Sequence, residues 1–280
     1  MSDRNSAVGV FDSGLGGLTS VKELKKILPH ENIIYFGDTG RVPYGMRSPQ
    51  TITEYAKQDL KFLSSFDIKA ALVACGTVSS IALEQLKKEF SLPIIGAVNP
   101  ACVRACSITK NNRIAVLATS ATIKTGAFER EIKRINPDCE VFSKACPMLV
   151  PLIENGYIDK NCTVTNMMVQ EYLSPFSGTD IDTIILGCTH YPIIKDIVAK
   201  VACSLNISCN INVVDSGYEA ACEMKNLLCK GGLENASSSC GRARYFVSDE
   251  PCDFQKVASI FLGEEISEVQ KVTVDQGKII

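Results

Sequence analysis

The sequence predicts an α/β protein made of two pseudo-symmetric α/β domains, each a mostly parallel sheet flanked by helices, with a ligand cleft between them. Three observations predict this. Short β-rich apolar runs alternate with amphipathic stretches along the chain, the pattern of parallel strands joined by helices. The segment "IKAALVACGT" (68–77) aligns with "IDTIILGCTH" (181–190), matching a leading isoleucine, a charged second residue, an apolar run, a small residue and a cysteine. The two halves also begin alike: "VGVFDSGLGGLTSVKEL" and "IAVLATSATIKTGAFEREI" each read as strand, small-residue turn and helix. The matched cysteines, Cys75 and Cys188, lie 113 positions apart. That separation is far longer than a solenoid repeat, so the duplicated unit is a whole α/β module. In such sheets ligands bind beyond the C-terminal ends of the strands.

Taken in order, "AVGVF" reads as the first strand and "GLTSVKELKKILP" as a helix with Val21, Leu24 and Leu28 on one face. "NIIYFGD" is the next strand, followed by a loop "TGRVPYGMRSP" and a helix through "TITEYAKQDLKFLSSF". "IKAALVA" reads as a buried strand, "GTVSSIALEQLKKEF" as a loop opening into a helix, and "LPIIGAV" as another strand. The second series starts at "NRIAVLAT", with a helix at "GAFEREIKRI", a strand at "CEVFSKA", a helix over 161–174 and the strand "IDTIILG". The chain closes with the strand "INVVDSG", the helix "YEAACEMKNLL", an exposed polar loop "KGGLENASSSCG", the strand "ARYFVSD" and a last helix.

Composition narrows the function. A chain of 280 residues with 46% hydrophobic content has a real core. Its 29 basic and 31 acidic side chains leave a formal charge of −2, with no basic stripe for nucleic acid and no charged surface for a membrane. The first residues lack the basic head and apolar run of a signal peptide, and no apolar stretch has the roughly 20 residues a membrane helix needs. A soluble cytoplasmic protein is expected. Thirteen cysteines, an odd number with no export signal, argue for reduced thiols. Cys102 and Cys106 are the closest pair and have no histidine nearby, so no metal site is expected. Most of the cysteines, including Cys139, Cys203, Cys222 and Cys229, read as small hydrophobes.

Cys75 and Cys188 stand apart because each falls where a buried strand turns toward a helix. A helix N-terminus favours a thiolate and lowers its pKa below ~8.5, and its free N–H groups donate to a carboxylate. Thr77, Ser79 or Ser80 fits a cap after Cys75, and Pro192 fits a first helical position after Cys188. Two thiols facing one cleft serve either a disulfide exchange or a proton transfer between opposed bases. Redox pairs usually share one short loop. Opposed bases explain the duplication, since inverting a stereocentre treats the two faces of one carbon alike. "FDSGLGG" places Asp12 and Ser13 after the first strand, either as a capped tight turn or as ligand contacts; it is not a nucleotide-binding GxGxxG. "GDTGRVPYG" carries Asp38, Arg41 and Tyr44, with Asp38 and Arg41 open to a structural pairing. His190, two residues past Cys188, suits an acid or a cation beside a thiolate. His30 reads as surface.

These motifs, "FDSGLGGLTSVKEL", "GDTGRVPYG", "ACGT", "CPMLVPLIENG", "LGCTHYP", "VVDSG" and "ARYFVSD", closely resemble the glutamate racemases of the cofactor-independent aspartate/glutamate racemase superfamily, over nearly the whole chain. The resemblance implies interconversion of L- and D-glutamate without a cofactor, the D-isomer supplying peptidoglycan. It implies Cys75 as the base on the D face and Cys188 on the L face, with Asp12 assisting the first and His190 the second. Asp12, Ser13, Tyr44, Gly45, Gly76, Thr77, Thr189 and His190 would bind substrate, with Thr119, Thr122 and Glu154 in matching segments. The two-domain fold of the family implies a first domain of 1–97 plus 208–280, a second of 98–207, an active site in the cleft between them, and a homodimer. One departure matters: the family usually reads Cys-Asn-Thr where this chain has Cys75-Gly76-Thr77, losing an amide. That change leaves room for a racemase of aspartate or another amino acid. A non-catalytic protein that binds a small acid on the same fold is a further alternative, opposed by the presence of both cysteines, Asp12 and His190.

Overall fold

All nine apolar runs form strands. A computed structural model describes residues 3–266, 268–275 and 278–280. In chain order its elements begin β1 (Ala7–Asp12), α1 (Leu18–Ile27), β2 (Ile33–Gly37), α2 (Pro49–Leu63), β3 (Ile68–Val73), α3 (Gly76–Ile81), α4 (Leu83–Glu89), β4 (Ile94–Gly96) and α5 (Val98–Ile108). They continue with β5 (Arg113–Ala118), α6 (Ser120–Thr125), α7 (Ala127–Ile135), β6 (Glu140–Ala145), α8 (Leu149–Glu154), α9 (Thr163–Leu173), β7 (Thr183–Leu186) and α10 (Lys195–Ser204). Last come β8 (Asn212–Asp215), α11 (Ser216–Gly231), β9 (Ala243–Val247), α12 (Pro251–Leu262), β10 (Gln270–Lys271), β11 (Val274–Asp275) and β12 (Lys278–Ile279). Among the described residues, no helix is long and apolar enough to cross a membrane.

The duplication is visible in the strand order. One sheet runs β10-β9-β2-β1-β3-β4 and the other β6-β5-β7-β8, and every pairing in both is parallel. Matching β1–β4 to β5–β8 gives the same order twice. Strand β1 is buried along its whole length and β7 likewise, as strands covered by helices on both faces must be, and both read as near-continuous apolar runs. In each sheet the chain reverses its direction of growth beside the first strand, between β1 and β3 and again between β5 and β7. A crevice opens at the C-terminal ends of the strands at such a point. Helix α11 packs on both α1 and α5 and ties the two sheets together.

Several expectations change. The second domain was expected to end at residue 207, but β8 hydrogen-bonds to β7 with Asn212 opposite Thr183, so the second sheet takes one more strand. The stretch 76–90 is two helices, α3 and α4, broken at Ala82. Helix α5 has no counterpart in the sequence reading, which passes from "LPIIGAV" directly to "NRIAVLAT". Pro100 occupies the first turn of α5, where its missing N–H leaves no bond unmade. The β11–β12 hairpin was also unread. Of the cysteines taken as core residues, Cys139 is buried, Cys203 and Cys222 are half-buried and Cys229 is exposed. His30 is exposed, as expected, and contacts the Ser239 carbonyl.

One charged pair is wholly inside. Lys69, on β3, has no exposed side-chain surface and meets Glu31 at 2.5 Å, while also donating to the Arg4 and Leu233 carbonyls. It thereby ties the chain before β1 and the loop after α11 to one point. Removing one partner of a buried pair leaves an uncompensated charge, at a cost of about 3–5 kcal/mol. Lys69→Met is therefore expected to lower the unfolding free energy by about that amount, and Lys69→Met/Glu31→Leu to recover much of the loss. Urea unfolding checks this; equal destabilisation in the single and double variants would show that the charge left behind is not the cause.

Candidate active site

The cleft between the two sheets holds a cavity of about 860 Å³. Four strand ends supply its polar floor: β1 gives Asp12 and Ser13, β3 gives Cys75, Gly76 and Thr77, β5 gives Thr119, and β7 gives Cys188, Thr189 and His190. Tyr44, Gly45 and Glu154 complete the set of expected residues that line it. Thr122 is the exception. It is buried behind the lining, where its hydroxyl meets those of Thr77 at 3.2 Å and Thr119 at 2.9 Å.

On the first sheet's side, Cys75 is the N-cap of α3 and is 6% exposed. Its sulfur lies 3.3 Å from the Ser13 hydroxyl. The expected thiolate is not what this environment favours: burial pushes the Cys75 thiol up to about 12, with the Asp12 charge adding to the effect and hydrogen bonds from Ser13 and Val78 opposing it. The helix that was to lower it has only six residues, too short for its dipole to offset full desolvation. Asp12 is itself raised by burial, against the pull of His190 and the N–H groups of Gly14 and Gly17. One carboxylate oxygen accepts from Gly14 at 3.0 Å, making the tight turn. The other has no hydrogen-bond partner among the described residues.

On the second sheet's side the electrostatics are reversed. Cys188 precedes a short 3₁₀ helix, Tyr191–Ile194, whose N-cap is His190, so unlike Cys75 it does not itself cap a helix. The His190 Nδ1 lies 3.9 Å from the Cys188 sulfur and 3.3 Å from the Thr189 hydroxyl, while Nε2 lies 2.9 Å from Glu154. Phe261 stacks its edge against the imidazole, with centroids 5.0 Å apart. Burial alone would lower the His190 pKa, but the contacts with Cys188 and Glu154 carry it up to about 10. The Glu154 contact thus favours the protonated imidazole.

The loop "GDTGRVPYG" is held from below. Arg41 bonds Asp38 at 2.5 Å and Asp59 at 2.6 Å, which settles the structural pairing and adds Asp59, a residue that no motif singles out. The Tyr44 hydroxyl is engaged by Asp38 and by Asp59, the latter at 3.0 Å. Tyr44 is thus an anchor that fixes the loop against the cavity. The wider mouth is apolar, lined by Val42, Met46, Pro147, Val150, Phe254 and Val257. Apolar lining has no sequence signature of its own, though Pro147 and Val150 lie in "CPMLVPLIENG", from which only the acid was singled out.

With this geometry in place, comparison with known proteins is informative. The family model for Asp/Glu/Hydantoin racemase matches residues 19–224. The chain belongs to the Asp/Glu/hydantoin racemase family. Within this racemase family, the chain is 42% identical over 97% of its length to a glutamate racemase of Geobacter metallireducens, covering 98% of that protein. Its fold matches the crystal structure of a glutamate racemase isoform from Bacillus anthracis with a TM-score of 0.90 at 33% identity, covering 98% of this chain and 99% of the other. The glutamate racemase of Francisella tularensis, crystallised with D-glutamate, matches with a TM-score of 0.88 at 37% identity over 97% and 99% of the two chains.

The Glu154 contact makes a testable claim about His190. A pKa raised by folding contributes stability that is fully present below the unfolded value of about 6.5 and is lost as pH rises through about 10. Imidazole NMR titration of the native protein is expected to keep His190 protonated past pH 8, and in Glu154→Gln the midpoint should fall by about one unit or more. Thermal stability should then decline less between pH 6.5 and pH 10 in that variant. Superimposable titrations would remove Glu154 from the site's electrostatics.

Proposed function

We propose that this protein is a cofactor-independent glutamate racemase that interconverts L- and D-glutamate by two-base proton transfer between Cys75 and Cys188. The observation that carries this reading is the presence of both thiols, from equivalent strand ends of two matching sheets, in one cavity. Glutamate as the substrate is supported by relatives named glutamate racemase at 39–42% identity over 97% of the chain. The family resemblance extends the reading to D-glutamate supply for peptidoglycan, to a cytoplasmic location and to a homodimer.

The two sides of the cavity suit opposite proton states. Burial holds Cys75 as a thiol, ready to deliver a proton, while the His190 imidazole, 3.9 Å from Cys188, is placed to compensate negative charge on that sulfur when protonated. With L-glutamate bound, Cys188 removes the Cα proton as Cys75 protonates the opposite face; with D-glutamate the roles exchange. Asp12 assists Cys75. One of its oxygens has no hydrogen-bond partner among the described residues, so a substrate ammonium pairs with it and relieves the carboxylate charge that holds the thiol up. Ser13, Gly76, Thr77, Thr189 and the loop at Tyr44 and Gly45 surround the carboxylates, and Thr119 and Glu154 close the second side. A Cα–H is far less acidic than a thiol, so the carbanion-like transition state depends on fixed donors in a site from which water is excluded.

Either enantiomer of glutamate incubated in deuterium oxide is expected to gain deuterium at Cα as the other enantiomer appears, with aspartate exchanging far more slowly. Cys75→Ala and Cys188→Ala should each lower turnover by about 10²–10⁴-fold, the usual contribution of a positioned acid or base. Well-folded native protein that exchanges nothing, or a variant that racemises normally, would sink the two-thiol mechanism.

A further inference from the structure

The two cysteine loops touch backbone to backbone at one place. A Cβ built on Gly76 would lie 2.4 Å from the carbonyl oxygen of Gly187 and 3.4 Å from its carbon, so no residue other than glycine fits there without movement. Gly187 has little room to retreat. Its N–H is bonded to the Leu117 carbonyl at 2.8 Å in the second sheet, and a Cβ on Gly187 would lie 2.9 Å from the Phe128 ring and 3.2 Å from Ala118. The Gly76 side is also tied down. Ser79 N–H donates to the Cys75 carbonyl at 2.9 Å, the Ser80 hydroxyl donates to the Gly76 carbonyl at 2.7 Å, and the Ser79 hydroxyl donates to the Val73 carbonyl at 2.9 Å. Beside this contact Thr77 bridges to Thr119 at 3.1 Å and to Thr122 at 3.2 Å across the cleft.

We infer that Gly76 is a positioning residue: by lacking a side chain it lets the Cys75 loop rest against the Gly187 carbonyl, and this contact sets how closely the Cys75 and Cys188 thiols approach one substrate carbon. The inference rests on the two-thiol racemase reading. Gly76 lies between Cys75 and the threonine bridge, and Gly187 directly precedes Cys188, so any separation here is passed to both sulfurs. An added Cβ must part the loops by roughly 0.6–1 Å before ordinary contact is restored, and a misplacement of about 1 Å at reacting groups costs up to about 10²-fold in rate.

The test compares Gly76→Ala with Gly76→Asn. Both add the same Cβ, and only the second adds an amide. Both are expected to keep the fold, to lose about 10- to 100-fold in kcat in the two directions, and to change KM for glutamate by less than about 3-fold. Crystal structures of the native protein and Gly76→Ala are expected to show residue 76 and the Gly187 carbonyl further apart in the variant. If either variant fails to fold, Gly76→Ala/Phe128→Leu gives Gly187 space to move back; it is expected to fold and to keep the low kcat. Gly76→Asn turning over as fast as the native protein, or a Gly76→Ala structure with the two loops unmoved, overturns the inference. Failure of the racemase reading shows separately, in native protein that exchanges no Cα deuterium, and the structural comparison still decides whether Gly76 sets the approach.

Discussion

The arrangement depends on one constraint: two sheets that share the order of four strands must meet at the C-terminal ends of β3 and β7, closely enough that both cysteines face one cavity. Strands β3 and β7 end in the same way, and their loops approach until the Gly76 and Gly187 backbones are in contact. Close approach at that point brings Thr77 to Thr119. The helices contribute by joining the sheets, α11 lying against both α1 and α5. A cavity made this way draws its polar lining from strand ends and adds apolar side chains such as Val42, Val150 and Phe254.

Symmetry of the backbone does not extend to charge. The first thiol sits beside a buried carboxylate and the second beside a buried imidazolium held by Glu154. The two sulfurs thus have neighbours of opposite charge type. Such a site presents similar geometry and different electrostatics to the two faces of a carbon, as suits a reaction that removes a proton on one side and supplies one on the other. The Tyr44 loop is held by buried charges of its own, Asp38, Arg41 and Asp59. Those groups lie beneath the cavity and fix its shape.

Much of this was legible in the sequence because strand alternation and the repeat of "IKAALVACGT" in "IDTIILGCTH" are local signals. Each apolar run is long enough to be a strand covered on both faces, and each cysteine follows one directly, so a shared cleft follows from two equivalent strand ends. The sequence was less informative elsewhere. Pro100 lies in the first turn of α5, a helix that was not read. The strand at "INVVDSG" was read, but the boundary implied by the family put it in the first domain, and only pairing with β7 reveals its sheet. Asp59 and the apolar mouth carry no motif at all.

The sequence by itself determined the alternation of strands and helices, the duplication, the two thiols and their partners in "FDSG" and "CTH", since each is written in adjacent residues. Only the tertiary structure decided the protonation and the spacing. A thiol after a strand reads as activated by a helix end, yet Cys75 is pushed up to about 12 because folding strips its water and sets Asp12 beside it. Glycine after cysteine reads as an amide lost, yet its consequence is a backbone contact with Gly187 across the cleft. Both effects come from groups distant in the chain and close in space. Desolvation and steric overlap depend on what packs around a residue, and no local pattern carries that.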